Sequence, residues 1–103
     1  MTTLRIEHGI TDYDQWRTAF AGYEPVRAKG GVRGVTIRRP SDDPKYLMLD
    51  LEFDSPDAAR SFAQFLQDKV WSSPTSAPAL VGVPRTRVLE VMEESGDIAR
   101  PTS

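Results

Sequence analysis

Apolar and polar positions alternate with a period of two over residues 3–8, with Leu4, Ile6 and His8 on one side and Arg5 and Glu7 on the other. That pattern predicts a half-buried strand. The period then changes. Tyr13, Trp16, Phe20 and Tyr23 are spaced by three, four and three residues, a continuous stripe along a helix. Thr11 or Asp12 opens this helix, and Thr11 with Asp14 approximates a capping box. Pro25 lacks an N–H donor and clashes with the turn before it, so the helix kinks or breaks there. Gly30-Gly31 ends it.

A second strand is predicted over 32–39, with Val35 and Ile37 facing one way and Thr36 and Arg38 the other. The turn formers from Pro40 to Pro44 lead into a third strand at 45–53, which closes a hairpin. Leu47, Leu49, Leu51 and Phe53 line one face of this strand; Tyr46, Met48, Asp50 and Glu52 line the other. Ser55-Pro56-Asp57 combines a capping serine, a first-turn proline and a first-turn acid, a strong helix start. The stripe Ala58, Ala59, Phe62, Phe65, Leu66 and Val70 carries that helix onward. Residues 72–84, rich in serine, proline and alanine, read as a long loop, and 85–93 as the last strand. The polar residues 94–103 read as a flexible tail, leaving one domain at 1–93.

The order βαββαβ is the split βαβ signature of an α+β, ferredoxin-like fold. Right-handed crossovers put both helices on one face of a four-stranded antiparallel sheet, in spatial order 4-1-3-2. The apolar strand faces and helix stripes form the core. The helix-free face carries Arg5, Glu7, Thr36, Arg38, Tyr46, Met48, Asp50 and Glu52, with Val88 or Leu89 according to the last strand's register. Two such faces meeting would enclose a polar-lined barrel in a homodimer. Left alone, the face would be solvated and laced with cross-strand ion pairs.

Composition removes several functions. With no cysteine and a single histidine, disulfides, thiolate chemistry and multi-histidine metal sites are excluded within one chain, and no metal site is expected. The net charge is −2, and the ten arginines and three lysines are spread along the chain. No nucleic-acid footprint is expected from that balance. No apolar run approaches the roughly 18 residues of a membrane span, and charges interrupt the N-terminal segment where a signal peptide would be unbroken. A cytoplasmic protein with no membrane contact is expected.

His8 is the candidate general base, its unperturbed pKa lying near neutrality; a hydrogen-bonded structural histidine fits the same position. Trp16 and Tyr13 fit the core, or a stack on an aromatic ligand. Trp71 stands where the second helix gives way to the long loop, placed either to close a pocket mouth or to pack the helix end. Asp50 and Glu52 share a strand face and could perturb each other's titration, although Arg5 and Arg38 on neighbouring strands would neutralise them. Arg38 and Tyr46 are expected to face each other across the hairpin, as a cation–π pair or a phenol-binding lip. No phosphate-binding loop or nucleophile elbow is present.

The run from His8 to Trp16 resembles the first βα unit of the dimeric α+β barrel superfamily, in its antibiotic-biosynthesis-monooxygenase-like branch. So do Phe20, Arg27, Gly30-Gly31, the strand of Arg38, Asp42-Asp43-Pro44, Phe53 and Gly82-Val83-Pro84, over residues 4–92. The resemblance implies a dimer closed into a barrel with helices outside. Characterised members include cofactor-free oxygenases of aromatic polyketides, haem-degrading enzymes and isomerases. The haem-degrading branch relies on an asparagine, a tryptophan and a helical histidine at the haem. This chain has no asparagine, and its histidine ends a strand. Two readings follow. One is a cofactor-independent monooxygenase of an aromatic or polyketide-like molecule, with no cofactor. It takes His8 as base, Arg38, Tyr46, Met48 and Trp71 as substrate contacts, and a pocket between the helix-free face and the 72–84 loop. The other is a non-catalytic binding or structural dimer. An aromatic-lined pocket favours the first, and a face filled by arginine–carboxylate pairs the second.

Overall fold

The computed structural model describes residues 1–73 and 75–94. Strand β1 (Thr2–Ile10) alternates buried and half-buried side chains along its whole length, as the sequence period demands. Helix α1 (Tyr13–Gly22) is capped by Asp12, whose carboxylate accepts the Gln15 N–H at 2.8 Å. The Thr11 hydroxyl is turned instead to the Gln15 side chain. The chain breaks at Tyr23, and Pro25 sits in the first turn of a second short helix, α2 (Glu24–Lys29), where a missing N–H costs nothing. Gly30 caps α2, and Gly31 takes φ +89°, a left-handed conformation suited to glycine.

Strands β2 (Gly34–Arg38) and β3 (Tyr46–Phe53) form the hairpin, followed by helix α3 (Pro56–Phe65), capped by the Ser55 hydroxyl. The apolar stripe continues past α3 through a π-helical turn, Leu66–Val70, closed by the Trp71 N–H on the Leu66 carbonyl at 2.8 Å. Strand β4 (Leu80–Glu90) completes an antiparallel sheet of order β2-β3-β1-β4, as expected. The tail expected at 94–103 lies, from 95 onward, outside the described residues. Among the described residues, no helix is long and apolar enough to cross a membrane.

Three local expectations are corrected. The last strand begins at Leu80 rather than 85, because a bulge lets the chain stay paired while it turns. The register jumps from Glu7↔Arg85 to Gly9↔Val81, and Gly82 in the bulge holds φ +77°. Arg38 lies opposite Met48, while Tyr46 lies opposite Gly9, so Arg38 and Tyr46 do not face each other. Val35, expected in the core, is 42% exposed because β2 is an edge strand beyond the helices' cover.

The core gathers Leu4, Ile6, Ile10, Leu47, Leu49, Leu51 and Phe53 from the sheet, with Trp16, Ala59 and Phe62 from the helices. The end of α2 is pressed tightly on α3. A Cβ at Gly30 would stand 2.5 Å from Cδ1 of the buried Phe62 ring. Gly30→Ala is therefore expected to cost about 1–3 kcal/mol by overpacking, read as a lower urea midpoint. Unchanged stability would show that the two helices part freely.

Candidate functional site

The two faces of the sheet carry different chemistry. On the helix-free face, Asp50 accepts Arg5 Nε at 2.8 Å and Arg5 Nη2 at 2.8 Å, a bidentate pair, and Arg38 Nη1 at 3.0 Å. The Asp50 side chain is only 11% exposed. The hydrogen-bonded Arg5 guanidinium, aided by Arg38, outweighs burial and holds the carboxyl below its ordinary value of 3.8. Glu7 accepts the Tyr46 hydroxyl at 2.9 Å, which raises the phenol's pKa and keeps it protonated. Glu52 accepts the Thr3 hydroxyl at 2.7 Å. Arg5 and Arg38 thus neutralise Asp50, as the sequence pattern suggests, whereas Glu52 is bonded to Thr3.

The other face opens on a cavity of about 80 Å³ between the sheet, α1, α2, Trp71 and the strap of residues 76–80. Its walls are apolar and aromatic: Ile6, Leu49 and Leu51 from the strands, Trp16, Phe20 and Tyr23 from the first helical segment, and Leu66, Val70 and Trp71 from the second. Both tryptophans of the chain line it. The helical stripe that looked like core is partly core and partly pocket wall, because the short strap leaves it incompletely covered. Tyr23 ties the strap down, its hydroxyl donating to the Ser76 carbonyl at 3.0 Å.

His8 reaches this cavity from β1 because its even position points it toward the helices. The residue is 6% exposed, and its ring centroid stands 6.5 Å from that of Trp16. Nδ1 lies 2.8 Å from the Gly9 carbonyl, which can only accept, so Nδ1 carries the proton. Nε2 is then the free acceptor, with no hydrogen-bond partner among the described residues. It is not sealed away, since the described residues leave no buried side-chain nitrogen or oxygen unpaired. Burial pushes the imidazole below its ordinary value of 6.5, against the smaller opposing effect of the Gly9 bond. His8 is neutral at neutral pH, with a vacant lone pair in an apolar cavity.

Arg27 is the polar group that sequence reading missed at this site. Its guanidinium lies 3.7 Å over the Phe20 ring and donates to the Phe20 carbonyl at 2.6 Å. Desolvation lowers its pKa despite nearby Glu24, and Arg17 adds to the lowering. The signal available was the spacing Phe20–Tyr23–Arg27, which continues the aromatic stripe with a cation.

Of the expected site residues, His8 and Trp71 come together here. Arg38, Tyr46 and Met48 lie on the opposite side of the sheet, so the five do not form one site. The pocket expected between the helix-free face and the loop lies instead beneath the helices. Strand alternation forces this separation: His8 is even on β1, whereas the β3 partners of Glu7 and Gly9, Met48 and Tyr46, share the odd face. Among the described residues, no cluster of three or more metal-ligating side chains exists.

No protein-family model and no curated protein sequence matches the chain. Solved structures do. SnoaB, a cofactor-independent oxygenase from Streptomyces nogalater, superposes with a TM-score of 0.67 at 16% identity, covering 90% of this chain and 94% of that one. A monooxygenase of Streptomyces coelicolor, in complex with nanaomycin D, gives 0.64 at 14% identity over 91% and 89% of the two chains. A dimeric ferredoxin-like protein from an uncultured marine organism gives 0.59 at 10% identity over 91% and 97%. The chain shares the α+β, ferredoxin-like fold of the antibiotic-biosynthesis-monooxygenase-like proteins. At these identities the likeness is one of fold.

Proposed function

We propose that this protein is a cofactor-independent monooxygenase of an aromatic or polyketide-like small molecule, acting in the cavity beneath its helices. One observation carries the reading: a neutral, desolvated imidazole with a free Nε2 stands in an aromatic-walled cavity. The descriptions of two structural neighbours, a cofactor-independent oxygenase and a monooxygenase holding nanaomycin D, support it.

The chemistry asks little of the protein. His8 Nε2 takes a proton from the acidic C–H of an anthrone or the O–H of a quinol, leaving an electron-rich carbanion or phenolate. That anion gives one electron to O₂, and recombination of the two radicals forms a C–O bond. The imidazolium returns its proton to the peroxide. Loss of water then leaves a carbonyl, so one oxygen atom ends in product and the other in water. The substrate supplies the electrons. The walls orient the ring and keep solvent from the intermediates.

At about 80 Å³ the cavity is smaller than the roughly 150 Å³ engineered cavity that holds benzene. A ring enters with the strap displaced or with part of it projecting through the mouth, and the Tyr23–Ser76 bond is the tie that yields. Oxygen uptake with anthrones and quinols tests the reading: one O₂ consumed per carbonyl formed is expected. No uptake with any of them would leave a non-catalytic binding dimer, the reading that the ion pairs of the helix-free face favour.

Both readings have two copies paired through that face. The dimeric ferredoxin-like neighbour supports a pair of copies, and the band of half-buried polar groups on the helix-free face supports pairing there. Sedimentation at micromolar concentration is expected to give the mass of two chains, and a monomer there would contradict the pairing.

A further inference from the structure

The cavity is mostly apolar; besides Tyr23 and Ser76, which are tied to each other, its lining has two polar residues, His8 and Arg27. The two are joined by a row of rings. His8 stands 6.5 Å from Trp16, Trp16 stacks on Phe20 at 4.7 Å, and the Arg27 guanidinium caps Phe20 at 3.7 Å. Arg27 has no carboxylate within ion-pair distance among the described residues, although Arg5, Arg33, Arg38 and Arg60 each have one. Its bond to the Phe20 carbonyl uses one of five N–H groups. A half-buried guanidinium, held rigid by stacking and left with unspent donors at the edge of an apolar cavity, is built to receive a planar anion.

Resting on the reading that the cavity takes an aromatic molecule, we infer that Arg27 is a specificity-determining residue. It selects aromatic acids, holding the substrate's carboxylate at one end of the cavity while the ring lies along Trp16 and Phe20 toward His8. The planar fork of the guanidinium matches the two carboxylate oxygens, and the apolar surroundings strengthen that charge-assisted pair. Phe20 contributes to the geometry, because its ring fixes the plane in which the fork is presented. Arg17, also over Phe20 but at 5.7 Å and exposed, does not line the cavity.

Both tryptophans line the cavity, so their emission reports its occupation. Benzoate and benzamide have nearly the same shape and differ in charge. Titrated into the wild-type protein, benzoate is expected to quench with an affinity at least about tenfold above that of benzamide, the scale of a hydrogen bond to a charged group. Arg27→Gln should bring the two affinities within about twofold, with the circular dichroism spectrum confirming the fold. Arg27→Lys, which keeps the charge, should retain part of the preference, and Arg17→Gln all of it. Equal binding of the two probes to wild type, or a preference that survives in Arg27→Gln, would overturn the assignment while leaving the aromatic cavity standing. If neither probe changes tryptophan emission, the aromatic cavity reading falls, and the role of Arg27 with it.

Discussion

Replacing His8 by alanine is expected to lower the oxygenation rate by about 10²–10⁴, the usual contribution of a positioned general base. The fold should survive, since the His8 side chain makes a single hydrogen bond, to the adjacent Gly9 carbonyl. The wild-type pH profile carries a second expectation. A base held below 6.5 by burial remains unprotonated further into acid than a free imidazole, so the acid limb of kcat/KM should fall below 6.5. Stability has the corresponding sign. Below 6.5 the unfolded chain binds a proton that folded His8 refuses, so His8 destabilises the fold as pH drops from 6.5 toward its lowered value. His8→Ala should lose both the rate and this slope. Steady-state oxygen uptake and urea unfolding between pH 5 and 8, on both proteins, check the pair of effects.

Asp50→Ala is expected to be the most costly change on the opposite face, at about 3 kcal/mol, the low end for breaking a buried ion pair. The carboxylate is nearly enclosed, whereas its partners Arg5 and Arg38 are 34% and 59% exposed at the side chain, which lets water recover part of the loss. The folded pKa of Asp50 is depressed, so its contribution is complete above 3.8 and is lost as pH falls through the lower folded value. Wild type should therefore weaken in acid below that point, and Asp50→Ala should weaken less steeply. A urea midpoint unmoved by the substitution would show that the network of arginines does not hold the sheet.

Much of the fold was legible because the chain announces its periods plainly. Alternation in β1 and β3 fixes which residues face the helices, and Pro25 and Ser55-Pro56 mark helix boundaries by their missing donors and capping hydroxyl. The bulge in β4 was not legible. Gly82-Val83-Pro84 has the composition of a loop, and only pairing with β1 reveals that the strand has already begun at Leu80. The site was legible in pieces. His8 and Trp71 could be singled out by chemistry and position, yet joining them to Arg38, Tyr46 and Met48 ignored the same alternation that had predicted the strands. Arg27 was read only as part of the family resemblance, because its place at the site depends on a break at Tyr23 that swings α2 and sets the guanidinium over Phe20. No local pattern encodes that angle.

A ligand entering on the helix side of the sheet, against His8, can be told from one on the helix-free side, because the two faces carry separate reporters. Trp16 and Trp71 line the cavity, while Met48 stands on the opposite face beside Glu7 and Arg38. Titration with a dihydroxyanthrone under argon, followed by NMR of the indole N–H groups, the His8 ring nitrogens and the Met48 methyl, separates them. Shifts are expected at both indoles and at His8 Nε2, with the Met48 methyl unmoved. A shift at Met48 with the indoles and His8 unchanged would contradict entry on the helix side.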